Sequence, residues 1–486
     1  MARLSFAFAR DNQVALDGGS LLAGPEATLN GLREARRAAG GPVTPQALSL
    51  GDFQVALARL YDQPGQRAGQ GDGEGDDALA FDLEENPRGG GTRDLLEDAT
   101  EAPVIQLVNQ LLRRAVRAEA SDLHLEPHEE GLRVRMRVDG TMQSILDRRD
   151  VPARRVVSRL KVMAGLDIAE TRLPQDGRIA LRLGGRAIDV RLSTLPGHHG
   201  ERVVMRLLDR AAGLMALDRL GLSAVQSAQL HRLAALPNGI ILATGPTGSG
   251  KTTTLYSFLR LADRDERNIL TVEDPVEYDL AGISQTQVNP EIGLSFARGL
   301  RSILRQDPDV ILVGEIRDSE TALVAAEAAL TGHLVFSSLH ANNVLSAVVR
   351  LRELGLEAYL ISATLRGVVA QRLVRRLCRE CRQPEAPDDA ARALFAAHGL
   401  DAPERLHRAC GCPACDGTGF AGRIGVFDIL EVDDALRAQI DAGASESALR
   451  KATGRTESTL FRAALEQVAR GETTLDEVRR VIGESA

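Results

Sequence analysis

Nine consecutive residues, Gly245, Pro246, Thr247, Gly248, Ser249, Gly250, Lys251, Thr252 and Thr253, carry the chemistry of a phosphate cradle. The first eight match G-x-x-x-x-G-K-[ST] in full. They stand between an apolar run, Ile240–Thr244, that reads as a strand, and a helical stretch beginning at Lys251. Glycines let backbone N–H groups wrap the β- and γ-phosphates, and the following helix turns its positive end toward them. Lys251 neutralises charge, and the Thr252 hydroxyl is suited to Mg2+. A glycine turn without a ligand is the plain alternative, and pattern and context together speak against it. The ligands implied are ATP and Mg2+.

Hydrolysis also needs groups that place metal and water. Asp309-Val-Ile-Leu-Val-Gly-Glu315 is an apolar run ending in an acid, an arrangement that aims a carboxylate at magnesium beside the loop, with Glu in place of the usual Asp. Thr271-Val-Glu273-Asp274-Pro275 ends a second run in acids, and Glu273 is the candidate for orienting the attacking water. His340, after the run His333–Leu339, is a candidate sensor of the γ-phosphate, or else a structural ring.

A second constellation lies downstream. Cys378-Arg-Glu-Cys381 and Cys412-Pro-Ala-Cys415 are two C-x-x-C pairs thirty residues apart, and all five cysteines fall between Cys378 and Cys415. Two such pairs complete a closed tetrahedral site, so structural Zn2+ is expected rather than a redox role. Cys410 is surplus, and Cys410-Gly-Cys412 leaves open which thiol binds. Arg372, Arg375, Arg376, Arg379 and Arg382 surround the first pair as a basic face, either solvated or turned to a partner or acidic lipid. His124 and His128 are interrupted by Pro127 and followed by a strand, and are not read as metal ligands.

These groups need a scaffold. Gly239–Thr244, Asn268–Val272, Asp309–Gly314 and His333–Leu339 alternate with helical stretches, the pattern of a parallel sheet with crossovers, so 214–486 is expected to be an α/β nucleotide-binding domain. Within it the cysteine module spans about 375–420 and a helical subdomain 428–486. Upstream, 102–213 reads as another α/β domain: helical at Val104–Ala118, then alternating at Leu132–Val138, with Asp139-Gly140 as a turn. Residues 1–63 read as a small, largely helical domain with a helix at Leu48–Tyr61. Between them, 64–101 is Gly-rich and acidic, with eleven acids against two bases from Asp72 to Glu101, and is expected to be a flexible linker.

The 486 residues are too many for one core, and with no Trp and 3% aromatics the cores must be aliphatic. No apolar run reaches the roughly 18 residues of a membrane span, and the first sixteen residues lack a signal-peptide pattern, so a cytoplasmic protein is expected. A net charge of −8 argues against a general nucleic-acid binder.

The ordered motifs GPTGSGKTTTLY, TVEDPVE, DVILVGEIRD and TGHLVFSSLHAN resemble the Walker A, Asp box, Walker B and His box of the type II/type IV secretion ATPase superfamily. Upstream, LLEDATEAPVIQLVNQLL, ASDLHLEP, LPQDGRI and GERVVMRLL are similar to the ATPase family of the type II secretion system. The resemblance covers about residues 100 to 486 and implies a RecA-like domain preceded by a PAS-like one, with the same tetracysteine zinc module. It implies a homohexameric ring that drives pseudopilus assembly, through an inner-membrane platform protein, for export of folded proteins across the outer membrane. It also implies that Arg178 and Arg191 are delivered to the phosphates, with Arg202 and Arg206 weaker candidates. Without the resemblance these would read as surface charges. RLSFAFARDNQVAL resembles the family's N-terminal domain, which docks on the cytoplasmic part of a membrane-anchored secretion protein, so the chain is expected to meet the inner membrane only through protein partners. A type IV pilus extension ATPase is the alternative, since the catalytic motifs are shared.

Overall fold

The computed structural model describes residues 12–17, 20–25, 27–39, 45–49, 81–83, 102–183, 186–209, 215–455 and 459–483, together with positions 9, 43 and 53. The chain divides into two compact units, Met1–Ala78 and Leu79–Ala486.

In the first unit, β1 (Val14–Asp17) and β2 (Ser20–Ala23) form an antiparallel hairpin, and β3 (Pro45–Ala47) joins β2 in parallel. The helix Leu29–Ala39 packs on them through Gly31 and Ala35. Strands of three and four residues thus share this unit with the helix, where a largely helical domain was expected; such short strands leave too few alternations to be separated from a helical pattern. Most of the expected helix Leu48–Tyr61, and most of the expected linker 64–101, lie outside the described residues. The exception in the linker is β4 (Phe81–Leu83), which pairs antiparallel with Leu181–Leu183.

The second unit holds two large sheets. The first comprises β4, β5 (Asp122–His128), β6 (Gly131–Val138), β7 (Thr141–Arg148), β8 (Gln175–Leu183), β9 (Arg186–Leu195) and β10 (Arg202–Asp209), in the order β4-β8-β9-β10-β5-β6-β7 with every neighbour antiparallel. Strict alternation decides its faces. Leu123, Leu125, Leu132, Val134, Val190 and Val203 are buried with Val108, Leu112, Val156 and Leu160 of the helices Ala102–Arg117 and Ala153–Met163. The other face is polar. The β6–β7 turn runs through Asp139 (φ 48°) and Gly140 (φ 80°), a left-handed pair of the kind that closes two-residue hairpins.

The second sheet is formed by β11 (Gly239–Thr244), β12 (Ile269–Glu273), β13 (Ser284–Gln287), β14 (Val310–Val313), β15 (Leu334–Leu339), β16 (Leu365–Leu377) and, beyond a small hairpin of β17 (Gln383–Glu385) and β18 (Leu406–Arg408), β19 (Phe420–Glu431). Its order is β13-β12-β14-β15-β11-β16-β19, parallel throughout except for the β16–β19 edge pair. β11, β14 and β15 are buried along their whole length, as strands covered by helices on both faces must be. Phe258 of the helix Lys251–Leu261 stacks on Phe336 at 5.1 Å on one face. The alanine-rich helix Ser319–Leu330 packs closely on the other. Among the described residues, four further helices, starting at Asp434 and ending at Ile482, follow β19, so the expected helical end of the chain starts after the strand rather than at 428.

Candidate functional site

The parallel order sends the carboxyl ends of β11, β12, β14, β15 and β16 to one edge, where such sheets gather ligand groups. The loop Gly245–Gly250 leaves β11 there. Gly245 (φ 146°), Gly248 (φ 79°) and Gly250 (φ 88°) take conformations that L side chains rarely adopt. A Cβ on Gly245 would lie 2.6 Å from the Gln371 carbonyl and from Ser249 Oγ, while one on Gly248 would meet nothing within 4 Å. The cradle is therefore braced below and open above. Lys251 Nζ donates to the carbonyls of Gly245 (2.7 Å) and Pro246 (3.1 Å), and Thr252 is exposed on the first turn of its helix. Ser249 Oγ and Thr254 Oγ1 are buried without a hydrogen-bond partner, which fits a site completed by a polar ligand.

Glu315, two residues past β14, is mostly buried; it pairs with Arg317 and stands 3.6 Å from His340 Nε2. Burial lowers the pKa of Lys251, the Glu315 carboxylate counters this, and Arg372 adds to the lowering. Lys251, Glu315 and His340 therefore belong to one electrostatic neighbourhood. Glu273 is placed differently. It ends β12 only 3% exposed, and its carboxylate accepts from Tyr256 Oη, from Thr271 Oγ1 at 2.6 Å and from Gln285 Nε2 at 3.0 Å. It is tied to the phosphate-loop helix through Tyr256, with three of its acceptor sites already engaged.

The arginines of the antiparallel sheet form a row. Register sets Arg178 of β8 opposite Arg191 of β9, and Arg191 opposite Arg206 of β10, all on the polar face. Like charges side by side repel, so the row is costly without anions in front of it. The row and Asp274-Pro275 of the nucleotide-binding sheet line a cleft of about 650 Å³. Arg191 Nη2 meets Glu277 Oε2 at 3.0 Å, Arg206 pairs with Asp122 at 3.3 Å, and Arg178 is exposed. Arg202 pairs instead with Glu126, at 2.7 Å.

The cysteine pairs converge. The sulfurs of Cys378, Cys381, Cys412 and Cys415 all lie within 4.8 Å of one another, with edges of 3.8 Å (378–412 and 381–415) and 3.7 Å (412–415). A tetrahedron of Zn–S bonds of about 2.3 Å has edges of about 3.8 Å, so the set fits zinc. Gly411 N–H donates to Cys381 Sγ (3.3 Å), and the Cys412 and Gly419 N–H groups donate to Cys415 Sγ (3.2 Å each), as thiolates require. Cys410 is exposed and outside the cluster. The long insertion between the pairs is an ordered β17–β18 hairpin carrying the helix Asp389–Ala397.

The basic face around Cys378 is largely engaged, which corrects the solvated reading. Arg375 pairs with buried Glu477 (2.8 Å), Arg376 with Glu472, and Arg382 donates to the Gly471 carbonyl. Gln371 escaped sequence analysis although the signal was present, an amide directly after the apolar run Val368–Ala370. It is buried, and its Nε2 donates to the Ser249 carbonyl at 2.7 Å, bracing the loop from β16. Tyr256, in an amphipathic helix, gave no such signal.

The type II/IV secretion system protein family matches residues 97–480, and a domain of GSPII protein E matches residues 3–61. The chain belongs to the type II/IV secretion system protein family, among its type II ATPases. It is 47% identical to the type II secretion system ATPase E of Vibrio cholerae, over 99% of this chain and 97% of that one. It is also 47% identical to the type II secretion system protein E of Dickeya dadantii, again over 99% and 97%. Among solved structures, the Legionella pneumophila ATPase DotB superposes with a TM-score of 0.57 at 22% identity, over 77% of this chain and 95% of that one. The pilus retraction motor PilT with bound ADP does so with 0.53 at 24%, over 78% and 96%. These two bear on the fold alone. No helix among the described residues is long and apolar enough to cross a membrane.

Proposed function

We propose that this chain is the motor of a type II secretion system, hydrolysing ATP in a homohexameric ring at the cytoplasmic side of the inner membrane. The observation that supports the reading is a phosphate loop and an arginine row that both border the nucleotide-binding sheet. The phosphate loop with Lys251 and Glu315 lies at the carboxyl edge of the sheet, and the arginine row shares a cleft with Asp274-Pro275 of that sheet, where Arg191 pairs with Glu277. Residues 245–253 bind the nucleotide phosphates; Thr252 and Glu315 would hold Mg2+, which when bound neutralises charge on the transferred phosphoryl group. Glu273 orients water once its donors exchange, His340 reports on the γ-phosphate through Glu315, and Arg178 and Arg191 complete the site when the cleft closes. The four thiolates hold Zn2+ as a structural staple.

The N-terminal unit would dock on the cytoplasmic part of a membrane-anchored secretion protein, and the ring would act on an inner-membrane platform protein. The match of residues 3–61 to a secretion-type domain favours this over a type IV pilus extension motor. A gene deletion complemented with wild type or Lys251→Ala tests it, scoring exoproteins and surface pili together. Loss of exoproteins with pili intact, rescued by wild type alone, is expected; loss of pili with secretion intact would overturn it.

A further inference from the structure

Arg372 lies on β16 in the stretch that the sequence assigns to the basic face of the cysteine module, yet the fold turns it elsewhere. In the sheet, β11 lies between β15 and β16. The register places Thr244, the last residue of β11, level with Leu339 on one side and Ala370 on the other. Gly245 and Pro246 therefore emerge about level with Gln371 and Arg372. The guanidinium donates from Nη1 to the Gln371 carbonyl at 3.0 Å and from Nη2 to the Asn342 carbonyl at 3.1 Å. Asn342 follows β15, so Arg372 reaches from one flanking strand to the segment that leaves the other, past the end of the strand that feeds the phosphate loop.

Its surroundings are unusual for an arginine. The side chain is partly buried and donates to two neutral carbonyls, whereas Arg375 and Arg376, three and four residues on, each have a carboxylate. Burial without a countercharge lowers its pKa, and its charge lowers that of Lys251. Two cations thus converge on the first turn of the loop, Lys251 through the Gly245 and Pro246 carbonyls and Arg372 from the β16 side, with Glu315 facing the lysine. A desolvated, preorganised fork with no acid in front of it suits an oxyanion, and a guanidinium engages phosphate oxygens with two parallel donors.

We propose that Arg372 binds the terminal phosphate of the nucleotide, from the same chain, and so distinguishes ATP from ADP. This rests on reading residues 245–252 as the nucleotide site. The loop's lysine meets the β- and γ-phosphates, and Arg372 approaches the same turn from β16 with its Nη2 anchored on the Asn342 carbonyl, two residues past the His340 that stands beside Glu315.

The test is equilibrium binding of fluorescent ATP and ADP analogues to the full chain, comparing wild type, Arg372→Gln, Arg372→Lys and Lys251→Ala. Wild type binding both and Lys251→Ala losing both would support the loop as the site; wild type binding neither would sink that reading and not merely the one for Arg372. With the loop intact, Arg372→Gln should weaken ATP by about tenfold or more and ADP by less than about threefold, the loss of a charge-assisted contact to one phosphate. Arg372→Lys, which keeps a cation but not the fork, should fall between, and it carries the test if the glutamine variant does not fold. An equal loss of ATP and ADP, the result expected if Arg372 only props the Asn342 segment, or no loss of either, would overturn the proposal.

Discussion

Replacing Tyr256 with phenylalanine removes one hydroxyl and leaves the ring, so no cavity opens in a core where Tyr256 is 1% exposed. What changes is the buried carboxylate of Glu273, which keeps Thr271 and Gln285 as donors and loses the third, and the Glu277 N–H, which loses an acceptor at 3.4 Å. Burial, followed by the Glu273 charge, raises the tyrosine pKa far above its ordinary value, so the hydroxyl remains a donor at every working pH. A hydrogen bond to a charged group contributes about 1.5–3 kcal/mol, so Tyr256→Phe should destabilise the nucleotide-binding sheet by that order. The charge-assisted share of that energy should appear as coupling in a double-mutant cycle with Glu273→Gln, whose amide oxygen still accepts from the hydroxyl, read from urea unfolding of the four proteins. ATPase assays on the same set should show kcat falling with KM for ATP little changed, because Glu273 is assigned to water rather than to phosphate. Penalties that add within about 0.5 kcal/mol would refute the reasoning, since independent sites behave that way.

Three further outcomes are expected. Glu277→Gln should release Arg191 from its partner; a partly exposed pair contributes about 1 kcal/mol, so basal phosphate release should rise up to about fivefold, and an unchanged or lower rate would count against closure of the cleft. Dialysis against a strong chelator should remove one zinc ion per chain by elemental analysis and lower the melting temperature, with Cys412→Ser doing the same and Cys410→Ser doing neither. Glu477 is held at about 2, against an ordinary value of 4.5; burial opposes its ionisation, and the hydrogen bonds from Arg480 and Arg375 outweigh burial. Its pKa is depressed on folding, so its contribution, about 3 kcal/mol, is complete above pH 4.5 and disappears as pH falls toward 2. The stability gap between wild type and Glu477→Gln should narrow through that window, and a gap that stays constant would disprove the linkage.

Strands buried on both faces were the most legible elements. Gly239–Thr244 was readable to the residue because it is apolar up to Thr244 and ends at a loop whose pattern has few other uses. Asn268–Val272 was displaced by one position, since its last residue is the acid Glu273, which sequence reasoning reserved for chemistry while the backbone continues the strand through it. The cysteine cluster was legible from spacing alone. The acids, by contrast, were assigned roles that spacing cannot decide. Glu273 and Glu315 both end apolar runs, and only the third dimension shows one facing Lys251 and the other enclosed by Tyr256, Thr271 and Gln285. Arg372 and Arg375 differ even more in their surroundings although three positions apart, because successive residues of a strand point to opposite faces and β16 outlasts the sheet core at its far end.

Among the described residues, polar contacts join the antiparallel sheet to the nucleotide-binding sheet at two separate points, and their chemistry is unequal. Asp139, in the β6–β7 turn, accepts from the Gly422 N–H at 2.9 Å and from Arg423 Nε at 3.2 Å, so one carboxylate is held by a backbone and a side-chain donor beside the cysteine module. The other contact is the lone Arg191–Glu277 pair, both partners of which keep about a quarter of their side chains in water. Ion pairs in that environment contribute little and exchange readily for a stronger anion. A triphosphate carries more charge than one carboxylate and presents it to a row of three arginines rather than to one. If the cleft closes on nucleotide, Glu277 is therefore the partner to be displaced, while the Asp139 contact, made partly by backbone and remote from the phosphate loop, has no competitor. Motion that opens one contact and keeps the other is rotation about the second, which would link nucleotide state to the start of β19, where the zinc module ends.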